Sequence, residues 1–319
     1  ILVAMSAIGI LEAVGLGFAM AVVLFITDYA RSGAVRQWLD GRSYRSNVDR
    51  RRRDEQTLTE QGHLIQIAQL QGYLFFGTAN QLVEDIRSRA DAASDGVRFV
   101  VLDFRRVTGI DASTLFAFTK LMDIAAGRGF YVVLADLSRP VRDAFALPEL
   151  EATRQTTWRL FPDLDHGLEW CEDELLQRDE TTESHTRPEM LSLGRGFMEG
   201  RSIAAGTTLI EQGAPPGGIY YLQRGRGTIQ RRATDGEIIR LRSKGEGAVI
   251  GEVGVYTGLP ATAFVVAETE CRVSYLSAAA LQQMETEAPE QANQFHKAVA
   301  RQMSGRLSQA NQTIEALAK

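Results

Sequence analysis

The residues able to do chemistry are few and far apart. Cys171 and Cys271 stand one hundred positions apart and outside any C-x-x-C arrangement. That excludes a disulfide scaffold and a cysteine zinc cluster, and fits a reducing compartment. The four histidines (His63, His166, His185, His296) are scattered singly, so no metal site is indicated. No Ser-His-Asp, Cys-His or paired-carboxylate constellation stands out, and the chain is not expected to be an enzyme. What remains is polar groups at turns. Asp111 and Ser113 sit where a strand-like run gives way to helical spacing, and either side chain can cap the first free helical N–H groups. Asp103, at the end of that run, reads either as a ligand contact or as a polar strand end.

These residues need elements to hold them. A chain of 319 residues with 45% hydrophobic and 8% aromatic content is globular and long enough for two or three folded units. Its net charge of −5 argues against a dedicated nucleic-acid binder, which normally needs a basic face. From His63 to Leu70 apolar and polar residues alternate as in a half-buried strand, and Gly72 punctuates a second strand at Tyr73–Phe76. Helical spacing follows in 80–93, a β-branched run in 97–104, helical spacing again in 113–126, a strand in 130–135 and a helix near 139–145. Strands alternating with helices imply crossovers and a mixed sheet covered by helices. Beyond an acidic interlude, 163–190, the texture changes to short runs punctuated by glycines, such as Gly218–Leu222 and Arg272–Leu276. That pattern means an all-β barrel or jelly roll, and after Leu276 the chain turns helical to its end.

The start is different again. From Ile1 to Ile26 only Ser6 and Glu12 interrupt apolar or small residues, a length that suits one membrane helix. A signal peptide would open with a basic region, which is lacking here, and a buried core helix would keep a polar stripe. Eight arginines follow (Arg31, Arg36, Arg42, Arg45 and Arg50 to Arg53) against Asp40 and Asp49. Such a flank puts that side of a membrane in the cytoplasm, the chain entering it near Thr27. The arginines otherwise read as a solvated linker or a patch that meets lipid headgroups.

The run Val101–Ser113 resembles the central signature of STAS domains, shared by sulphate-transporter tails and anti-sigma-factor antagonists. Leu70–Asn80, Phe25–Arg31 and Arg45–Arg50 resemble the transporter branch in particular, and four blocks in order over about 100 residues are specific. The resemblance is to the C-terminal part of a SulP-type inorganic anion transporter. It implies that Ser113 takes the place of a phosphorylated serine, and a phosphate there would be stabilised by the helix N-terminus.

The last 125 residues or so, from Leu193, resemble the cyclic-nucleotide-binding domain in three strand blocks: 206–213, 219–225 and 271–277. Ile250–Ala263 resembles its phosphate-binding cassette. The resemblance implies that Gly251 lets the backbone approach the ligand and that Glu252 accepts the ribose 2′-hydroxyl. The family then carries an Arg directly after the cassette's proline, whose fork pairs the cyclic phosphate. Here Ala261 stands there, followed by Thr262, and Phe264 replaces a small hydroxyl residue. Arg224, Arg226, Arg242 or Lys244 are candidates to reach the pocket instead. Cyclic nucleotide is therefore expected to bind weakly or not at all.

The expected order is the end of a transmembrane domain (1–27), a basic juxtamembrane linker (28–61), an α/β STAS domain (62–177), an acidic linker (178–190) and a β jelly-roll nucleotide-type domain with C-terminal helices (191–319). The expected role is the cytoplasmic regulatory tail of a sulphate- or bicarbonate-class transporter in the cell membrane, as a homodimer, without metal or nucleic acid. Its partners would be the upstream membrane domain and a regulatory protein at the STAS domain. The other reading is a signalling adaptor switched by phosphorylation at Ser113.

Overall fold

A computed structural model of the chain describes residues 33–50, 52–93, 95–145, 156–177, 189–233 and 238–318, together with 11, 14–21 and 236. Leu11 and 14–21 are helical and mostly exposed, and among the described residues no helix is long and apolar enough to cross a membrane. The rest of the apolar run 1–26 lies outside the described residues, as do 178–188 of the acidic linker. The chain divides into two compact units, Ile1–Asp40 with Leu64–Gly167, and Gly41–His63 with Leu168–Lys319.

The first unit is built on a five-stranded sheet. Its edge strand is β1 (Val35–Asp40). The next two elements, β2 (Val48–Asp49) and α1 (Arg52–Gln61), group with the second unit. The chain then runs through β3 (Ile65–Leu74), α2 (Phe76–Ala92), β4 (Phe99–Ile110), α3 (Ala112–Arg128), β5 (Tyr131–Ala135), α4 (Arg139–Ala144) and β6 (Trp158–Phe161). Strand order is β1-β3-β4-β5-β6, antiparallel at the first pair and parallel at the others. Parallel strands are buried on both faces, and β4 shows it: Phe99 to Phe104 are all buried. Helix α3 turns Ala117, Phe118, Leu121, Met122 and Ala125 inward, the three-to-four spacing of one helical face. The rings of Phe104, Phe118 and Phe145 close the core with centroids 5.0–6.0 Å apart.

Two expectations are corrected here. Gly72 does not divide two strands; it takes a φ of +73° inside β3, where the pairing register with β4 slips. That is a bulge, which bends a strand without ending it. Because β3 continues, β4 has a partner as far as Ile110, so Asp103 lies inside a strand and not at its end.

The second unit holds α5 from Leu168 onward (the helix spans Leu164–Gln177), then α6 (Glu189–Leu193). Short strands follow: β7 (Glu199–Ile203), β8 (Thr208–Ile210), β9 (Gly218–Arg224), β10 (Gly227–Arg232), β11 (Ile238–Lys244) and β12 (Val249–Ile250). After α7 (Glu252–Thr257) come β13 (Phe264–Ala267), β14 (Cys271–Ser277), α8 (Ala278–Glu287) and the long α9 (Pro289–Ala318). They form two sheets, ordered β2-β11-β10-β13-β8 and β12-β9-β14-β7, of the jelly-roll type. Phe295 and Val299 of α9 pack with Leu281 and Met284 of α8 on Ile219, Val249 and Leu276. The 41–63 stretch is more than a linker. Val48 and Asp49 add a parallel strand to β11 opposite Ser243 and Lys244.

Candidate functional site

In the first unit, the strand-to-helix turn is organised by Asp111. Its Oδ1 accepts hydrogen bonds from the Thr114 backbone N–H (2.7 Å), the Thr114 hydroxyl (2.8 Å) and the Ser113 hydroxyl (2.7 Å). Asp111 is therefore the N-cap of α3, and Ser113, half-buried, is a donor to that cap. Burial works to raise the Asp111 pKa, but these bonds outweigh it and hold the carboxyl below its ordinary value. Phe76 and Phe116 are exposed near this turn, at 62% and 77%. Asp103 is elsewhere in the sheet. It is buried, accepts from the Arg105 N–H (3.0 Å), and burial raises its pKa.

In the second unit, Gly251, Glu252, Ala261 and Thr262 come together around one cavity of about 670 Å³. Gly251 precedes α7 with a φ of +90°, and a Cβ there would lie 2.5 Å from the Gly218 carbonyl oxygen, so only glycine fits. Backbone bonds fix the opposite lip: the Gly213 N–H donates to the Ala261 carbonyl (2.7 Å), and the Ala261 N–H to the Ala214 carbonyl (2.9 Å). The other lining is largely apolar, with Ile210, Ile229, Leu241, Leu259 and Val265 among it.

The charged lining residues Arg242, Lys244, Glu252 and Arg306 belong to one largely buried network, and Glu211 is exposed to solvent. Asp49, brought in by β2, accepts from Lys244 Nζ, from Arg242 Nη1 (2.7 Å) and faces Arg306 Nε (2.6 Å). Arg306, on α9, also donates from Nη1 to Glu252 and from Nη2 to the Val249 carbonyl (2.9 Å). Burial alone would raise the Asp49 pKa, yet Lys244, Arg306 and Arg242 together bring it below the usual carboxylate value. Burial pulls Lys244 down to about 8, with Asp49 opposing that shift.

A second network ties α5 to the β-unit. Glu172 accepts from the Ser46 N–H (2.8 Å), the Ser46 hydroxyl (2.5 Å) and Arg50 Nε (3.1 Å). Arg226 bridges Glu169 (2.6 Å) and Asp173 (3.0 Å), and Arg240 also donates to Glu169. Arg50 of the basic run thus serves an internal ion pair.

Residues 56–165 match the family model described as STAS domain, and 200–287 the one described as cyclic nucleotide-binding domain. The chain carries a STAS domain followed by a cyclic nucleotide-binding domain. Together they make a regulatory or signalling module. Over 167 residues the chain is 26% identical to the vacuolar basic amino acid transporter of Saccharomyces cerevisiae, covering 50% of this chain and 16% of that protein. Over 227 residues it is 26% identical to Glutaminase 2 of Bradyrhizobium diazoefficiens, covering 66% of this chain and 34% of that protein. It thus spans about a third or less of either relative. Among solved structures, the N-terminal domain of a transcriptional regulator from Streptomyces coelicolor A3(2) is 29% identical, with a TM-score of 0.33, over 38% of this chain and 86% of that one.

Within the nucleotide-binding domain, Arg242 and Lys244 reach the cavity, whereas Arg226 is committed to α5 and neither it nor Arg224 lines the pocket. Phe264 is not among the lining residues, so it does not fill the pocket. Sequence reasoning missed Arg306 and Asp49. Arg306 comes from the C-terminal helix, fifty-four positions from its partner Glu252. Asp49 lies in a run read for its positive charge and its transporter-like block, not for the pocket.

Proposed function

We propose that the chain is the cytoplasmic regulatory tail of a SulP-type transporter of inorganic anions, of the sulphate or bicarbonate class, and does no catalysis of its own. The observation that carries the regulatory part is the cavity of the cyclic nucleotide-binding domain, lined by Gly251 and Glu252 of the cassette. The transporter part is supported by the order of the sequence blocks, the apolar run 1–26 and its arginine flank. On this reading the chain lies at the cell membrane with residues from about 28 onward in the cytoplasm, and engages an upstream membrane domain. Homodimerisation through α9 is supported by exposed Met303, Leu307 and Ile314, and a regulatory protein would meet the STAS domain at Phe76 and Phe116. Uptake of labelled sulphate and bicarbonate by cells with the gene intact or deleted tests it. Equal uptake of both anions in the two strains contradicts it.

A second reading is a signalling adaptor switched by phosphorylation at Ser113. It is favoured by the place of that hydroxyl at the start of a 17-residue helix beside exposed aromatic rings.

A further inference from the structure

Both contacts that the family makes to a cyclic nucleotide are compromised in this cavity. Ala261 offers no guanidinium, and Glu252 already accepts from Arg306 at Oε1, so a ribose hydroxyl would share a carboxylate held in an ion pair. Two of the lining hydroxyls are already committed as well. Tyr275 gives its hydroxyl proton to the Gly217 carbonyl (2.7 Å) and Thr257 to the Val253 carbonyl (2.6 Å).

What the cavity does offer is apolar wall and positive charge. Arg242, Lys244 and Arg306 face two carboxylates, Asp49 and Glu252, which leaves one positive charge in excess within a connected cluster. The remaining charged lining residue, Glu211, is exposed to solvent. Buried charge is costly unless compensated, so a single anionic group arriving beside Arg242 and Arg306 would complete the cluster. Around it, Ile210, Ile229, Leu241, Leu259 and Val265 favour hydrocarbon over polar surface. A volume of about 670 Å³ suits a small organic ligand.

We propose that this cavity takes an amphipathic organic monoanion, one carboxylate on an apolar body, in place of a cyclic nucleotide; the proposal rests on reading the second domain as a ligand sensor. The test is calorimetric titration of the full chain with octanoate, with its neutral analogue octanamide, and with cyclic AMP. Octanoate is expected to bind about tenfold to a hundredfold tighter than octanamide, the discrimination that a charge-assisted contact gives. Arg242→Gln, which removes the excess charge and leaves Arg306 on Glu252, is expected to bring octanoate down to the level of octanamide. Ala261→Trp, which fills the cavity without touching the ion cluster, is expected to abolish binding of both while the thermal transition persists. Equal binding of the two probes, no binding of either, or displacement of octanoate by micromolar cyclic AMP would overturn the assignment. Octanoate binding as expected together with anion uptake unaffected by the gene would sink the transport reading and leave the ligand assignment standing.

Discussion

Arg306 and Glu252 are joined by a hydrogen-bonded ion pair across fifty-four positions, from the long C-terminal helix to the first residue of the short helix beside the cavity. The carboxylate that resemblance assigns to a ribose hydroxyl is thus occupied from within the chain. The same guanidinium faces Asp49 of the upstream segment, so the pocket, the C-terminal helix and residues near 49 share one electrostatic cluster.

Cyclic AMP and cyclic GMP are expected to bind the chain more weakly than micromolar. Ala261→Arg is expected to gain about tenfold or more, since a charge-assisted pair contributes about 1.5–3 kcal/mol. Titration calorimetry on both forms decides it. Micromolar binding by the natural chain would contradict the expectation.

Asp49→Asn leaves buried Lys244 and half-buried Arg242 and Arg306 with Glu252, paired to Arg306, as the one carboxylate of the cluster. Removing one partner of a buried ion pair typically costs about 3–5 kcal/mol. A loss of that size is expected in denaturant unfolding of the second unit, and a loss below about 1 kcal/mol would mean that water screens the cluster.

Lys244 sets a pH dependence of definite sign. Burial lowers its folded-state pKa to about 8 from an ordinary 10.5. The unfolded chain therefore holds the proton longer, and this group's contribution to stability rises as the pH climbs from about 8 to about 10.5. Burial pushes the Cys171 thiol well up, which works the opposite way above pH 9. Comparison with Lys244→Met cancels that effect. The stability difference between wild type and Lys244→Met should move in favour of wild type between pH 8 and 10; a constant difference would show that Lys244 does not titrate there.

Asp111→Ala is expected to cost about 1 kcal/mol through loss of the α3 cap. Ser113→Ala is expected to cost less than about 0.5 kcal/mol, because Asp111 keeps its bonds to Thr114. Thermal unfolding of the two variants gives the order. If Ser113 is a switch, Ser113→Asp and Ser113→Ala must differ in anion uptake or partner binding, and identical behaviour would leave only a structural role.

Much of the fold was legible because it is written locally. The β-branched run at 97–104 and the apolar spacing after Ser113 each describe a face that one element buries. Gly72 misled because a glycine looks alike in sequence whether it bulges a strand or breaks it. The cassette glycine was visible as a motif, whereas the cations beside it were visible only as a list of candidates. Arg306 and Asp49 carry no local mark at all. An arginine on an amphipathic helix reads as solvated, and an aspartate among arginines reads as their neighbour, until tertiary pairing brings both to the same pocket.

The two-residue strand at Val48–Asp49 has a consequence for how the molecule is made. Ser46 bonds to Gln309, 263 positions later, so the second unit closes on itself only after 263 further residues have been synthesised. At ribosomal rates of about 5–20 residues per second, Ser46 waits on the order of 13–50 s for the last of its partners, Gln309. During that interval the first unit, with 64–167 as its main part, can already have folded. The 41–63 segment is then a tether held in waiting, and α9 is the element that fastens it.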